Sequence, residues 1–366
     1  MRKRLLILDQ FSELGGAQRC LLSLLPAFTE SGYETHLAAP GEGPLADEAR
    51  SLGAVVHRIP CGAYTAGRKN WRDALRFGGD LPRQAARISS ILARHRIDLI
   101  YVNGPRLLPA TALAARGCPV VFHAHSVVNG RISASLARAA LRSLRPKIIA
   151  ACRFVLKPLA ASVDTRNTHV IYNGISPMRV PRHRNDGAAW RVGVIGRIAP
   201  EKGQLEFVRA ARLVRERLAC EFVVCGDVLF SSPRYGERVR AEAEGLPIHF
   251  LGWRNDVGAV LSSLDVLVVP SAAVDATPLV ILEAFSAGVP VLAFRSGGIP
   301  EIVEHGVTGV LCSPAPCDLA WKLCGLLSCG RAMLDCLASR AQRVFQSRFS
   351  VERFRAEVLR VVRCAA

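Results

Sequence analysis

The sequence predicts an α/β protein built from two doubly wound, parallel-sheet domains joined by a linker. Apolar runs of strand length alternate with longer helical patterns through the N-terminal half. The alternation stops at 176–189, where two prolines and several charges occur without apolar periodicity, and it restarts at Trp190. A chain of 366 residues is long enough to bury two separate cores.

In the first half, the apolar runs are Leu5–Leu8, Thr35–Ala39, Val55–Ile59, Leu99–Val102, Val120–Phe122, Ile148–Ala151 and Val170–Tyr172. The helical patterns include Gln18–Glu30, Leu81–His95 and Leu107–Ala115. The basic N-terminus followed by Leu5–Leu8 reads as a first strand, since its apolar part is too short for a secretory signal and ends in an acid. The loop after it, QFSELGGAQ, places Gly15 and Gly16 just before a helix, where backbone without side chains can approach a phosphate. Asn103-Gly104 follows the fourth strand. Phe122 to Ser126 closes the fifth with His123 and His125, which are expected to point to opposite sides of the strand, so that at most one of them faces a ligand. Ile171 to Ile175 ends a strand in an Asn-Gly turn.

The second half opens with a strand, Trp190–Ile195, then Gly196-Arg197-Ile198-Ala199-Pro200-Glu201-Lys202-Gly203 and a long helix. No G-x-G-x-x-G dinucleotide fingerprint is present there. Arg197 and Lys202 on a loop after a strand can grip a diphosphate through charge-assisted hydrogen bonds. Strands follow at Phe222–Cys225, His249–Leu251 and Leu264–Val269. Pro270-Ser271 breaks the last of these, and Asp275-Ala276-Thr277 leads to Pro278, which suits a first helical turn. The helix carries Glu283 and runs to Ala287, with Gly288 as its cap and Pro290 as its stop. A strand that feeds a helix N-terminus offers free amides to an anion, and acids beside it accept hydrogen bonds from a ribose or a sugar. The strand Val291–Phe294 precedes Ser296-Gly297-Gly298, and Phe349–Val362 reads as an amphipathic C-terminal helix.

Composition narrows the partners. The formal charge is +18, and from Leu99 to Val163 there are nine Arg or Lys residues and no acid. Within that span, 129–146 reads as an amphipathic helix, with Arg131, Arg138, Arg142 and Arg145 on one face and Ile132, Leu136, Ala140 and Leu144 opposite. A second basic stretch, Asn70 to Arg96, includes Trp71 and Phe77. Such a surface suits anionic lipid. It does not suit nucleic acid, because aromatic content is 6% and the bases do not punctuate stacking residues. No apolar run approaches the ~18 residues of a membrane span. The 12 cysteines form no C-x-x-C pair, and the cluster from Cys312 to Cys336 contains no His. Reduced, buried thiols in a cytoplasmic protein without a metal site are expected.

Several of these elements together resemble glycosyltransferase family 4, whose members are retaining, nucleotide-sugar-dependent enzymes of the GT-B fold. Asp275 and Glu283, eight positions apart, are similar to the family's E-x7-E pair, with the shorter Asp in place of the first Glu. The loop Ala276-Thr277 also lacks the Gly-Phe or Ser-Phe often found there. Gly196 to Gly203 closely resembles the G-R-x-x-x-E-K-G element, and Asn173-Gly174, Ser296 to Val303 and Gly306 to Gly309 match further family segments. The resemblance implies two Rossmann-like domains facing across a cleft. They span 1–175 on the acceptor side and 190–347 on the donor side, with 176–189 as linker and 348–366 crossing back to the N-terminal domain. It implies sugar transfer from a nucleotide-diphosphate donor to a glycan or lipid-linked acceptor, in cell-surface polysaccharide or glycolipid synthesis.

By the same resemblance, Arg197 and Lys202 stabilise the leaving diphosphate, Asp275 holds the donor sugar, Glu283 holds the ribose, and His125 lines the reaction centre. Gly15, Gly16, Ala276 and Thr277 cradle phosphate and sugar, and the turn Leu251–Arg254 holds the base. No metal or other cofactor is implied, the nucleotide sugar being a co-substrate. The expected location is cytoplasmic, peripheral at the inner face of the plasma membrane. Two alternatives use the same letters: a nucleotide-sugar epimerase on this fold, and a non-catalytic, membrane-associated binding protein.

Overall fold

The computed structural model describes residues 2–62, 71–115, 117–128, 130–160, 163–178, 180, 189–229, 233–271 and 275–366, without the side chains of 71–75. Most of the expected linker, Asn70 and the Trp71 side chain of the second basic stretch, Asn129, and 272–274 of the acidic loop lie outside the described residues. The chain divides into two compact units: Met1–Gly174 with Val351–Ala366, and Ile175–Ser350.

The first unit alternates strand and helix as β1 (Lys3–Asp9), α1 (Gly16–Glu30), β2 (Tyr33–Ala39), α2 (Pro44–Ser51), β3 (Val55–Arg58), α3 (Trp71–His95), β4 (Leu99–Asn103), α4 (Leu108–Ala114), β5 (Val120–Ala124), α5 (Arg131–Leu144), β6 (Lys147–Ala150), α6 (Arg153–Leu156) and β7 (Thr168–Val170). Among the described residues its sheet has seven parallel strands in the order β3-β2-β1-β4-β5-β6-β7. Helices cover both faces of such a sheet, so its central strands are apolar throughout rather than alternating. Leu5, Leu6, Ile7 and Leu8 of β1 are all fully buried.

The second unit repeats the plan with β8 (Trp190–Ile195), α7 (Gln204–Val214), β9 (Cys220–Cys225), α8 (Pro233–Ala243), β10 (Ile248–Gly252), α9 (Val257–Ser262), β11 (Val266–Val269), α10 (Leu279–Ala287), β12 (Val291–Phe294), α11 (Ile299–Ile302), β13 (Val310–Cys312), α12 (Pro316–Ser328) and α13 (Gly330–Arg348). Its sheet runs β10-β9-β8-β11-β12-β13. Phe207, Phe222, Phe294 and Leu319 lie at the centre of its core. In both sheets the strand order reverses beside the first strand, between β1 and β4 and between β8 and β11. Ligands of open α/β sheets bind at such switch points, beyond the carboxyl ends of the strands.

The final helix, α14 (Val351–Ala365), belongs to the first unit, although the whole second unit precedes it in the chain. It packs on α1, β5 and β6 and buries Phe354, Val358 and Val362 completely. Arg355 Nε donates to the carbonyl of Ser23 at 2.6 Å, and Arg353 donates to the carbonyl of Tyr172.

The surface of α5 differs from expectation. Its buried residues are Ala137, Ala140 and Leu141, whereas Ile132 is 74% and Leu136 39% exposed. The buried set faces α4 and lies about a third of a turn around the helix from Ile132 and Leu136. Both apolar side chains are therefore left in solvent, between the buried residues and the arginine face.

Because α14 completes the first core from the far end of the chain, Phe354→Ala should destabilise the first unit selectively, by ~3–5 kcal/mol. Native-state hydrogen exchange should show faster opening of β1, β4 and β5 with β8 and β11 unchanged. Equal loss in both sheets would contradict this assignment of α14.

Candidate active site

In the second unit the residues singled out from sequence gather at the β8/β11 switch point. Arg197 and Lys202 lie on the loop leaving β8, in which Pro200–Lys202 forms a single helical turn before α7. Asp275, Ala276 and Thr277 lie on the loop leaving β11, and Glu283 is half-buried on α10. The loops meet through one ion pair, in which Lys202 Nζ donates to Asp275 Oδ2 at 2.5 Å. The pair is mostly shielded, with the side chains 28% and 16% exposed, so it is stronger than an open surface pair. Arg197 is aimed by two acceptors, Glu201 Oε1 at 2.6 Å and the carbonyl of Leu229 at 3.1 Å. Glu201 is one residue the sequence reading left without a role.

Two glycines allow the loops to come this close. Gly203 has φ +72, and a Cβ on it would stand 1.9 Å from the carbonyl oxygen of Pro270. Gly297, at φ +54, faces the carbonyl oxygen of Asp275, where a Cβ would stand at 2.0 Å. The turn around Gly297 supports the acidic loop from below: Gly298 N–H donates to Asp275 O at 3.1 Å, and Ser296 Oγ donates to Ser271 O at 2.5 Å. Pro278 caps α10 from outside its first turn, and Gly288 ends it in the left-handed conformation.

Gly15, Gly16 and His125 belong to the first unit. Both glycines are exposed at the start of α1, with Gly15 as its N-cap and without a side-chain cap, so amides of the first turn remain open to an anion. Gly15 N–H donates to Gln18 Oε1 at 3.2 Å. His125 follows β5, and its Nε2 stands 2.7 Å from Asn103 Oδ1. The expectation that His123 and His125 point to opposite sides is wrong. Residues two apart on a strand share a face, and the two rings lie 3.8 Å apart. His123 is the deeper of the two, fully buried, with Nδ1 2.6 Å from the Tyr101 hydroxyl. Burial pushes His125 down to about 4, and His123 well below its ordinary value, so both rings are neutral near pH 7.

The sequence reading also gave no role to Asp9, which closes β1 at the switch point opposite Asn103. Its carboxylate is fully buried and accepts from Asn103 Nδ2 at 2.6 Å, Gln18 Nε2 at 3.0 and 3.1 Å, and Phe11 N–H at 2.8 Å. Burial raises its pKa to about 6, against the lowering effect of these donors. An acid closing an otherwise apolar strand at a sheet's switch point is the signal that could have found it.

Among the described residues, no group of three or more His, Cys, Asp or Glu is placed to hold a metal ion, and no helix is long and apolar enough to cross a membrane. The cysteines described are free thiols.

Residues 14–179 match the family model described as Glycosyltransferase Family 4, and 189–329 match that of Glycosyl transferases group 1. The glycogen synthase of Mycobacterium tuberculosis is 30% identical over 92% of this chain and 86% of its own length. The chain belongs to glycosyltransferase family 4. It is also 29% identical to the sulfoquinovosyl transferase SQD2 of Arabidopsis thaliana over 66% of this chain. That match spans only about half, 52%, of the plant protein. Anabaena HepE, solved in complex with UDP, superposes with a TM-score of 0.82 over 99% of this chain and 100% of its own, at 23% identity. This family 4 enzyme therefore has the GT-B fold of two Rossmann-like domains.

Gly203 and Gly245 share almost the same backbone, φ +72 and +70, but a Cβ on Gly245 meets nothing within 4 Å. Gly245→Ala should cost only the left-handed penalty of about 1–2 kcal/mol. Gly203→Ala should cost more than ~4 kcal/mol, because Pro270 must also move. Urea unfolding of the second unit checks the pair, and equal losses would remove the close approach as a constraint.

Proposed function

We propose that this glycosyltransferase moves a sugar, with retention at the anomeric carbon, from a nucleoside-diphosphate sugar to a glycan or lipid-linked acceptor. The acceptor class fits the making of a cell-surface polysaccharide or glycolipid. The observation that carries the reading is the Lys202–Asp275 pair, which draws a cation and an acid from two loops to one switch point. In this reading Arg197 and Lys202 neutralise charge growing on the leaving diphosphate, in the role other transferases give a divalent metal. Asp275 accepts from hydroxyls of the transferred sugar, exchanging its present partner for the ligand. Glu283 accepts from the ribose, and the amides of Ala276, Thr277, Gly15 and Gly16 meet phosphate and sugar. The acceptor attacks on the face the diphosphate leaves, within an ion pair and without a covalent enzyme intermediate. No cofactor takes part. The UDP held by Anabaena HepE supports uracil as the first base to test.

A thermal-shift screen of nucleoside diphosphates should find one that stabilises the protein by ~2.7 kcal/mol at a hundred times its Kd. Arg197→Ala and Glu283→Ala should weaken that binding about 10- to 150-fold each, the loss for a charge-assisted hydrogen bond. Proton NMR of the product should show the donor's anomeric configuration. No shift with any diphosphate, or an inverted product, would contradict the proposal.

A lipid surface is the second partner we propose, on the exposed part of α5 that carries Ile132 and Leu136 and, further round the helix, the arginine stripe. Vesicles containing phosphatidylglycerol should sediment the protein at low salt and release it at high salt. Arg138→Ser and Arg142→Ser should each lower binding roughly fivefold, near 1 kcal/mol per charge. Equal sedimentation with neutral vesicles would count against this face.

A further inference from the structure

A buried polar chain at the β1/β4 switch point runs from Asp9 through Asn103 to His125. Asp9 receives four hydrogen bonds from Asn103, Gln18 and Phe11 and faces no acceptor among these contacts, an arrangement that suits a carboxylate. A carboxylate only accepts, so the group of Asn103 that meets it at 2.6 Å is the amide NH2. The amide oxygen of Asn103 is thereby turned to His125 Nε2, 2.7 Å away. An amide oxygen also only accepts, so Nε2 carries the proton. In a neutral imidazole the other nitrogen is then a bare lone pair. That atom, Nδ1 of His125, is buried and has no hydrogen-bond partner among the described residues. The neighbouring ring of His123 is held separately, through Tyr101, and lies outside the chain of bonds.

We propose that Asp9 and Asn103 are positioning residues that lock His125 in its Nε2–H tautomer. His125 then keeps Nδ1 as an acceptor, which a ligand hydroxyl reaches once the atoms covering it part, and cannot donate from that atom to a phosphate oxygen. The function of the lock rests on the transferase reading above, in which His125 lies beside the transferred sugar. The tautomer itself does not. A sugar hydroxyl, which can donate, is the ligand class that satisfies the lone pair. A diphosphate is excluded from it, which leaves phosphate recognition to Arg197, Lys202 and backbone amides. Removing the Asp9 charge frees the Asn103 amide to turn over, and the proton on His125 is then no longer dictated.

The test is histidine-selective 15N labelling of the full chain with long-range 1H–15N correlation, the His125 signals being assigned by their loss in His125→Gln. Wild type should show a protonated Nε2 and an unprotonated Nδ1. Asp9→Asn should give a mixture of tautomers. The double variant Asp9→Asn with Asn103→Asp, which exchanges amide and carboxylate, should restore the wild-type tautomer, since residue 103 would again accept from Nε2. A wild-type Nδ1–H tautomer overturns the proposal whatever the variants do, as does an Asp9→Asn spectrum identical to wild type. In turnover, Asp9→Asn should lower kcat/KM for the sugar donor about 5- to 150-fold, the effect of a misdirected buried hydrogen bond. Its affinity for the nucleoside diphosphate alone should fall by a smaller factor than kcat/KM, since Asp9 reaches the glycine loop only through Gln18, and the exchanged pair should recover activity. If wild type has the expected tautomer but transfers no sugar from any donor, the transferase reading fails and the lock stands. If it transfers sugar with the opposite tautomer, the lock fails alone.

Discussion

Backbone meeting backbone is the constraint on which the second unit's ligand edge depends. Gly203 lies against the carbonyl of Pro270, and Gly297 against that of Asp275, at distances no side chain could share. The first contact sets the separation of the β8 and β11 loops, the second holds the β11 loop from the β12 side, and together they set the reach of Lys202 to Asp275. The shorter Asp in the first acidic position still closes on the lysine because the loops are already near. A longer carboxylate side chain is therefore not needed to span the gap.

The first unit solves a different problem at the corresponding place. Its sheet has a charge at the switch point, inside rather than above the loops, and surrounds it with donors. A buried carboxylate is tolerated when its lone pairs are filled, and the same filling transmits orientation outward. Gln18 joins this network to the glycine loop, since it donates to Asp9 and accepts from Gly15. The loop that offers amides to an anion and the strand end that carries His125 thus share one anchor.

Most of the architecture was legible in the sequence, because parallel strands buried on both faces leave continuous apolar runs. Trp190–Ile195 and Val291–Phe294 are strands of the expected extent. Segments whose ends depend on partners far away in the chain were harder to delimit. The third helix begins at Trp71, ten residues before the periodic pattern at Leu81, and continues through Pro82. On α5, helical periodicity identified the arginine face and grouped Ile132 and Leu136 with Ala140, but not which of these the fold buries, because that is decided by contact with α4. The candidate site was legible where motif letters stand together, as in Gly196 to Gly203. Asp9 and Glu201 were passed over because their significance lies in contacts, and the same-face geometry of His123 and His125 was misjudged at the strand end.

The placement of α14 also has a meaning for how the protein is made. The second unit is, in effect, inserted into the first, between Gly174 and Val351. During synthesis the unit begun second has all its strands and helices released before the first can be completed. Until Phe354, Val358 and Val362 arrive, the first sheet is present but the ground beneath α14, formed by α1, β5 and β6, lies bare and apolar. Domains ordinarily fold in the order they leave the ribosome. Here the order of completion is reversed, and the nascent chain carries an unfilled hydrophobic groove for the whole time the second domain is translated.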